Sequence, residues 1–249
     1  MSEEWIIGKN TVLEALESGR AMQKLYISES LNATLSKKIQ SLAKSYNAPV
    51  QRVPKKKIDQ LVEGNHQGVA ALVAAYEYAT LDQLFQKAAE KGEEPFFIIL
   101  DEIEDPHNLG GSILRTADAT GVHGVIIPKR RAVGLTTTVA KTSVGAIEYI
   151  PVARVTNIVQ TIEELKSRRV WVVGTEAEAT EDYRKLDGHL PVALVIGNEG
   201  KGISRLVKKN CDWTVRLPMK GSVSSLNASV AASILMYEVL RKRDHIGDV

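Results

Sequence analysis

From residue 94 onward, short apolar runs alternate with segments of helical pattern. That alternation restricts the fold more than any other feature of the chain. Strands are predicted at Phe96–Leu100, Gly124–Ile127, Val170–Val173, Val192–Ile196 and Thr214–Leu217, with helical segments that include 156–168 and 224–243. The pattern predicts an α/β domain with a mostly parallel sheet covered on both faces. In such sheets ligands bind beyond the carboxyl ends of the strands. The last helix carries Val230, Ile234, Leu235, Met236, Tyr237, Val239 and Leu240, apolar on nearly all sides. A helix of that kind is buried in a core or in a subunit interface.

The first 75 residues read as a separate, small α/β unit. Asn10 or Thr11 is expected to cap a helix bearing Val12, Leu13 and Leu16, with Gly19 at its end. Lys24–Ser28 is a predicted strand. A helix through Leu35, Ile39, Leu42 and Ala43 is stopped by Asn47-Ala-Pro49. Val50–Val53 is a strand, Pro54 suits the first turn of the next helix, and Gly68–Ala75 is a buried strand. Residues 76–93, with Leu81, Leu84 and Phe85 among charged residues, read as a helical linker, and 94–249 as the second domain.

A chain of 249 residues with 44% apolar residues accommodates two modest domains. The net charge of +2 excludes a strongly acidic chain and a polybasic tail. It leaves room for a local nucleic-acid patch, and residues 1–75 hold 10 Lys+Arg against 7 Asp+Glu. A single cysteine, Cys211, excludes an intramolecular disulfide and a multi-cysteine zinc site, and is expected to be a small, partly buried residue. Met1-Ser-Glu-Glu lacks the basic and apolar regions of a signal peptide, and no run approaches 18 apolar residues. The expectation is a cytoplasmic protein away from membranes.

Three segments at strand ends hold the candidate chemistry. They are Asp105-Pro-His-Asn-Leu-Gly-Gly-Ser-Ile-Leu-Arg115, Leu194-Val-Ile-Gly-Asn-Glu-Gly-Lys-Gly202 and Leu217-Pro-Met-Lys-Gly-Ser-Val-Ser-Ser-Leu-Asn-Ala-Ser229. Taken singly they read as an N-cap Asn with a surface Arg, a tight glycine turn, and helix caps. Taken together, Asn108, Arg115, Glu199, Ser225 and Asn227 beside several glycines suit a composite site that grips a small ligand through backbone groups and handles a hydroxyl. No His/Cys/carboxylate spacing suggests a metal, and neither a dinucleotide Gly-x-Gly-x-x-Gly nor a P-loop is present. Lys129-Arg-Arg131 and Lys55-Lys-Lys57 are each a solvated loop or a phosphate contact. His66 reads as a loop hydrogen-bonding residue.

All three segments resemble motifs of the SpoU/TrmH branch of the SPOUT methyltransferases, over residues 96–243. The first 75 residues resemble the ribosomal-protein-like RNA-binding domain of one subgroup, with His66-Gln-Gly-Val-Ala70 at the join. The resemblance implies a SPOUT fold with a deep trefoil knot, S-adenosyl-L-methionine as cofactor, and a homodimer built on the last helix. It implies 2′-O-methylation of ribose in RNA, most similar to the subgroup acting on a guanosine of 23S ribosomal RNA. Transfer RNA is the rival substrate, and a non-catalytic RNA-binding protein the rival class. By resemblance, Arg115 lies against the target hydroxyl, Asn108 and Glu199 fix Arg115 and the ribose, and Ser225 and Asn227 complete the pocket. Gly197, Leu217 and Leu226, with Thr175 and Ile196, hold the cofactor. The family spaces its Asn-x-Gly and Arg by three residues, whereas four separate Gly110 from Arg115 here. The extra residue rotates Arg115 by about 100° in a regular helix unless the glycine pair absorbs it.

Overall fold

The computed structural model describes residues 3–17, 19–74, 76–223 and 225–244. Ala75 and Ser224, at the ends of two expected elements, lie outside the described residues, as do Met1 and Ser2. The chain divides into two compact units, Met1–Glu77 and Tyr78–Val249.

The first unit holds β1 (Glu3–Ile7), α1 (Lys9–Glu17), β2 (Met22–Ser28), α2 (Ala33–Ser45), β3 (Val50–Val53), α3 (Lys55–Leu61) and β4 (Val69–Ala74). The sheet order is β1-β4-β2-β3. Only the β2–β3 pair is parallel. Val12, Leu16, Leu25, Ile27, Ile39, Val69, Ala71 and Val73 form its core. Neither Asn10 nor Thr11 caps α1. The chain enters the helix directly from Gly8 at φ 94°, whose carbonyl accepts from Val12 N–H. Gly19 ends that helix in the left-handed region, and Asn47 at φ 54° follows α2 in the same way. Pro54 is the N-cap residue of α3 rather than a first-turn residue. His66 is a loop hydrogen-bonding residue as expected: Nδ1 accepts from Gly68 N–H at 3.0 Å, so Nε2 donates to Asp59 at 2.7 Å.

The second unit begins earlier than expected. Residues 76–93, expected to be a helical linker, do contain a helix, α4 (Leu81–Lys91), opened by a Thr80–Gln83 capping box and closed by Gly92 at φ 68°. Leu84 is fully buried in the second unit's core. It packs so closely on Gly124 that a Cβ there would overlap Leu84 Cγ. Arg168 lies over the Phe85 ring at 3.5 Å and pairs with Asp82 at 2.7 Å. A short amphipathic helix therefore looks like a linker in sequence because its buried face is only about two side chains wide.

Seven strands form one sheet: β5 (Phe96–Leu100), β6 (Gly124–Pro128), β7 (Val152–Val155), β8 (Trp171–Thr175), β9 (Glu181–Asp182), β10 (Val192–Ile196) and β11 (Trp213–Arg216). The order is β7-β6-β5-β10-β8-β11-β9, and every pair is parallel. β5 and β10 lie at the middle and are buried at every residue, which is why they read as unbroken apolar runs. The chain leaves β5 for β6 on one side of this central pair and leaves β10 for β11 on the other, which makes the β5–β10 carboxyl end the crevice where α/β sheets bind ligands. The covering helices are α5 (Arg115–Ala119), α6 (Thr137–Thr142), α7 (Ala146–Tyr149), α8 (Ile158–Ser167), α9 (Arg205–Asn210) and α10 (Ala228–Arg243).

The last helix departs from expectation at its start. It starts at Ala228, so Ser225 and Leu226 belong to the preceding loop. One face, including Ala232, Leu235, Met236 and Val239, is buried, but Val230 and Tyr237 are 46% and 53% exposed. Its end is pinned by Arg243, which donates to the carbonyls of Gly188 and Glu94 at 2.8 Å each.

Candidate active site

At the carboxyl end of β5 the chain forms a π-helix, His107–Leu114, that runs directly into α5. Such wide turns arise where one extra residue is held in a helix, and this one spans the four residues between Gly110 and Arg115. Gly110 permits it to sit tightly on α6. A Cβ at that position would lie 2.9 Å from Val139 Cα and would overlap Thr142 Oγ1.

The loop after β10 is equally tight. Asn198 and Gly202 exchange backbone hydrogen bonds of 3.1 and 2.8 Å. A side chain at Gly197 would overlap the Gly202–Ile203 peptide. Asn198 Nδ2 donates to the Glu102 carbonyl at 3.2 Å, and buried Asp101 accepts from Ser204 N–H at 2.7 Å. These contacts tie the loop to the residues just beyond β5 and present Glu199 towards the crevice.

Three distant residues meet there. Glu199 Oε1 accepts from Asn108 Nδ2 at 3.1 Å, from Asn227 Nδ2, and from Ala228 N–H at 3.3 Å. Asn227 Nδ2 also donates to Asn108 Oδ1 at 3.1 Å. Asn227 Oδ1 caps α10 through Ser229 N–H at 3.0 Å and accepts from the Ser229 hydroxyl. The carboxylate thus sits at a helix N-terminus among donors, where negative charge is stabilised.

Glu199 and Ser225 line a cavity of about 440 Å³ together with Thr175, Ile196, Gly197, Leu217 and Leu226. All five residues expected to hold a cofactor therefore share one cavity. Its volume is within the range of small-molecule sites. Asn108 and Asn227 stand behind Glu199 in the hydrogen-bond group. Arg115 does not join it. Arg115 is exposed, and no hydrogen bond links it to Asn108, Glu199 or Asn227 among the described residues. The two residues expected to fix Arg115 instead hold each other and Asn227.

Glu176, Glu178, Val215, Met219, Ala231 and Leu235 also line it, and sequence reasoning missed them. Thr175-Glu-Ala-Glu178 follows directly from β8, so the strand-end rule was the available signal. Glu176, Glu178 and Glu199 give the cavity three carboxylates against one cation, Lys201, beside an apolar wall, and Glu176 is paired with Lys208 at 2.9 Å. Such a lining suits a ligand with an apolar ring and a positive charge. Cys211 lies outside it. Burial raises its thiol to about 12, so it stays protonated at neutral pH.

Comparison with known proteins gives this geometry a family. A protein of Bacillus subtilis (strain 168), bearing the name of a TrmH family tRNA/rRNA methyltransferase, is 61% identical over 245 residues, 98% of each chain. The AdoMet-bound rRNA methyltransferase from Sinorhizobium meliloti matches with a TM-score of 0.66 at 26% identity, covering 98% of this chain and 88% of the other. The TrmH/SpoU tRNA modifying enzyme of A. aeolicus matches with a TM-score of 0.55 at 29% identity, covering 65% of this chain and 83% of the other. The model for RNA 2′-O ribose methyltransferase substrate binding matches residues 5–79, and that of the SpoU rRNA Methylase family matches residues 95–237. With both units matched, the chain belongs to the SpoU rRNA methylase family.

Proposed function

We propose that this protein transfers a methyl group from S-adenosylmethionine to a ribose 2′-hydroxyl of ribosomal RNA, at a guanosine of 23S RNA. The observation that carries the reading is the single cavity shared by Thr175, Ile196, Gly197, Leu217 and Leu226, with the Asn108–Glu199–Asn227 group at its edge. The apolar wall and three carboxylates fit the cofactor's flat ring and its cationic sulfonium. When bound, the cofactor supplies an electrophilic methyl group. The chain's own task is positioning, which alone provides much of the rate of a transfer between two bound partners. Gly197 and Leu217 offer backbone groups, Leu226 packs, and Asn108, Ser225 and Asn227 orient the ribose. Arg115 is the cation that meets the target hydroxyl. Ribosomal rather than transfer RNA is favoured by coverage. The rRNA methyltransferase neighbour spans 98% of this chain, whereas the tRNA modifying neighbour spans 65%.

The same reading includes a trefoil knot in the second unit, a cytoplasmic location and a homodimer on α10. The exposed Val230 and Tyr237 support the dimer. Arg115 adjoins Thr116, which hydrogen-bonds Ser233 of α10 at 3.0 Å, so it stands at the edge of the proposed interface. Methyl incorporation from labelled cofactor into ribosomal and transfer RNA, followed by mapping of 2′-O-methyl groups, tests the substrate. Methylation confined to transfer RNA overturns the ribosomal assignment, and cofactor binding without methylation of any RNA overturns the enzyme. Sedimentation of Tyr237→Glu as a monomer beside a dimeric wild type is the expected result for the interface.

A further inference from the structure

The carboxyl ends of β5, β6 and β7 carry a basic loop that the site described above does not use. Lys129, Arg130 and Arg131 follow β6 and are exposed. The loop has a built shape. The Lys129 carbonyl accepts from Arg154 Nη2 at 3.1 Å, and Arg131 Nη1 donates to Glu102 Oε1 at 2.8 Å. Glu102 (φ 60°) and Arg131 (φ 55°) both occupy the left-handed region, which side chains rarely adopt. Two neighbouring loops thus each hold one such residue, and an ion pair joins them. Arg154 is itself steadied over the Tyr78 ring, 5.2 Å from its centre.

The loop is coupled to the catalytic crevice. The Glu102 that holds Arg131 also accepts, through its carbonyl, from Asn198 Nδ2 at 3.2 Å, and Asn198 precedes Glu199. β6 is two places from β10 in the sheet, about 10 Å at the usual strand spacing. Charge on the loop is only partly cancelled. Glu102 neutralises Arg131, with Glu104 adding negative potential there. Lys129 and Arg130 have no ion pair among the described residues. Two free cations on a fixed loop beside a crevice that takes a ribose match the spaced anions of a nucleic-acid backbone.

We propose that Lys129 and Arg130, on the loop shaped by the Arg131–Glu102 pair and by Arg154, bind the RNA phosphates flanking the target nucleotide. The inference rests on the RNA reading above and assigns a backbone-contact site on the methyltransferase unit, separate from the first unit. The test uses the full chain with a ribosomal RNA fragment. Affinity is measured by filter binding over a range of salt for wild type, Lys129→Ala, Arg130→Ala, the double variant and Arg130→Lys. Each lost phosphate contact lowers the slope of log affinity against log salt by about 0.7–0.9, so the double variant is expected to lose roughly 1.5. Its KM for RNA should rise roughly tenfold with cofactor affinity unchanged. Arg130→Lys should keep the slope, because a point charge satisfies a phosphate. An unchanged slope in the double variant overturns the proposal, as does loss of turnover with the slope intact. Because the slope is read from binding, this proposal can fail while methylation persists. Absence of methylation of any RNA by the wild type would instead sink the functional reading.

Discussion

Asn227 donates its side-chain amide to the side-chain oxygen of Asn108 at 3.1 Å, joining residues 119 positions apart. Both also donate to Glu199, so losing any one member removes hydrogen bonds from the other two. Removing Asn227 leaves the side-chain oxygen of buried Asn108 without its partner, at about 1–3 kcal/mol. For Asn227 a lost helix cap adds about 1 kcal/mol. Asn227→Ala should therefore unfold at clearly lower urea concentration than Ser225→Ala, which lies outside the group. Glu199→Gln keeps the shape but replaces one acceptor oxygen with a donor facing other donors. It should lose most methyl-transfer activity while its circular dichroism remains native. Full activity in Glu199→Gln would remove Glu199 from the proposed site.

Gly110 gives a sharper packing test. A methyl group there meets Val139 Cα at 2.9 Å and also overlaps Thr142 Oγ1. Overpacking at fixed backbone costs about 1–3 kcal/mol, so Gly110→Ala should show a correspondingly lower denaturation midpoint. Gly111→Ala is the control, since its nearest neighbour would be Thr142 Cβ at 3.8 Å. Equal stability of the two variants would contradict the close approach of the π-helix to α6.

What the sequence revealed follows from the physics of each element. β5 and β10 are buried on both faces, so their apolar runs stand out. β7 hides because Arg154 interrupts it and Pro151 precedes it, and β9 is only two residues long. Asn108, Glu199 and Asn227 were legible as polar residues at strand and helix ends, where loops converge. Their mutual hydrogen bonds were not, because sequence spacing carries no distance between segments 28 to 119 residues apart. Glu176 and Glu178 were overlooked because carboxylates after a strand usually mean a solvated loop. The extra residue before Arg115 was visible, but its absorption as a wide turn depends on how Gly110 packs against α6.

His123 makes stability depend on pH. It is fully buried; Nδ1 accepts from Phe96 N–H at 3.0 Å, and Nε2 donates to Glu93 at 2.9 Å. Burial lowers its pKa below the ordinary 6.5, and the Glu93 contact offsets this only in part. The unfolded chain therefore takes up a proton as pH falls through about 6.5, while the folded chain does not until lower pH. Stability from this group is intact above 6.5 and is lost as pH falls below it. The urea midpoint should drop between pH 7.5 and 5.5, and the drop should be smaller in His123→Gln, which cannot titrate. An equal drop in both would assign the pH dependence to other groups.

Arg115 is the residue on which sequence and structure bear most differently. One residue more than the family spacing would turn it by about 100° on a regular helix. The π-helix His107–Leu114 spans that residue, and Arg115 is expected to keep the face that the shorter motif would give it. Two variants separate register from chemistry. Arg115→Ala should cut turnover by roughly 10²–10⁴-fold, the range for a group that assists proton loss, with cofactor affinity little changed because Arg115 lies outside the cavity lining. Arg115→Lys should also fail, since an ammonium cannot reproduce the planar fork. Deleting Gly111 removes the extra residue and should convert the π-helix to an ordinary helical turn with Arg115 in the same direction. That deletion variant should fold and retain turnover within about tenfold, because register rather than residue count sets the geometry. Near-normal methylation by Arg115→Ala would take Arg115 out of the reaction. A folded but inactive Gly111 deletion would show that the wide turn is needed for more than register.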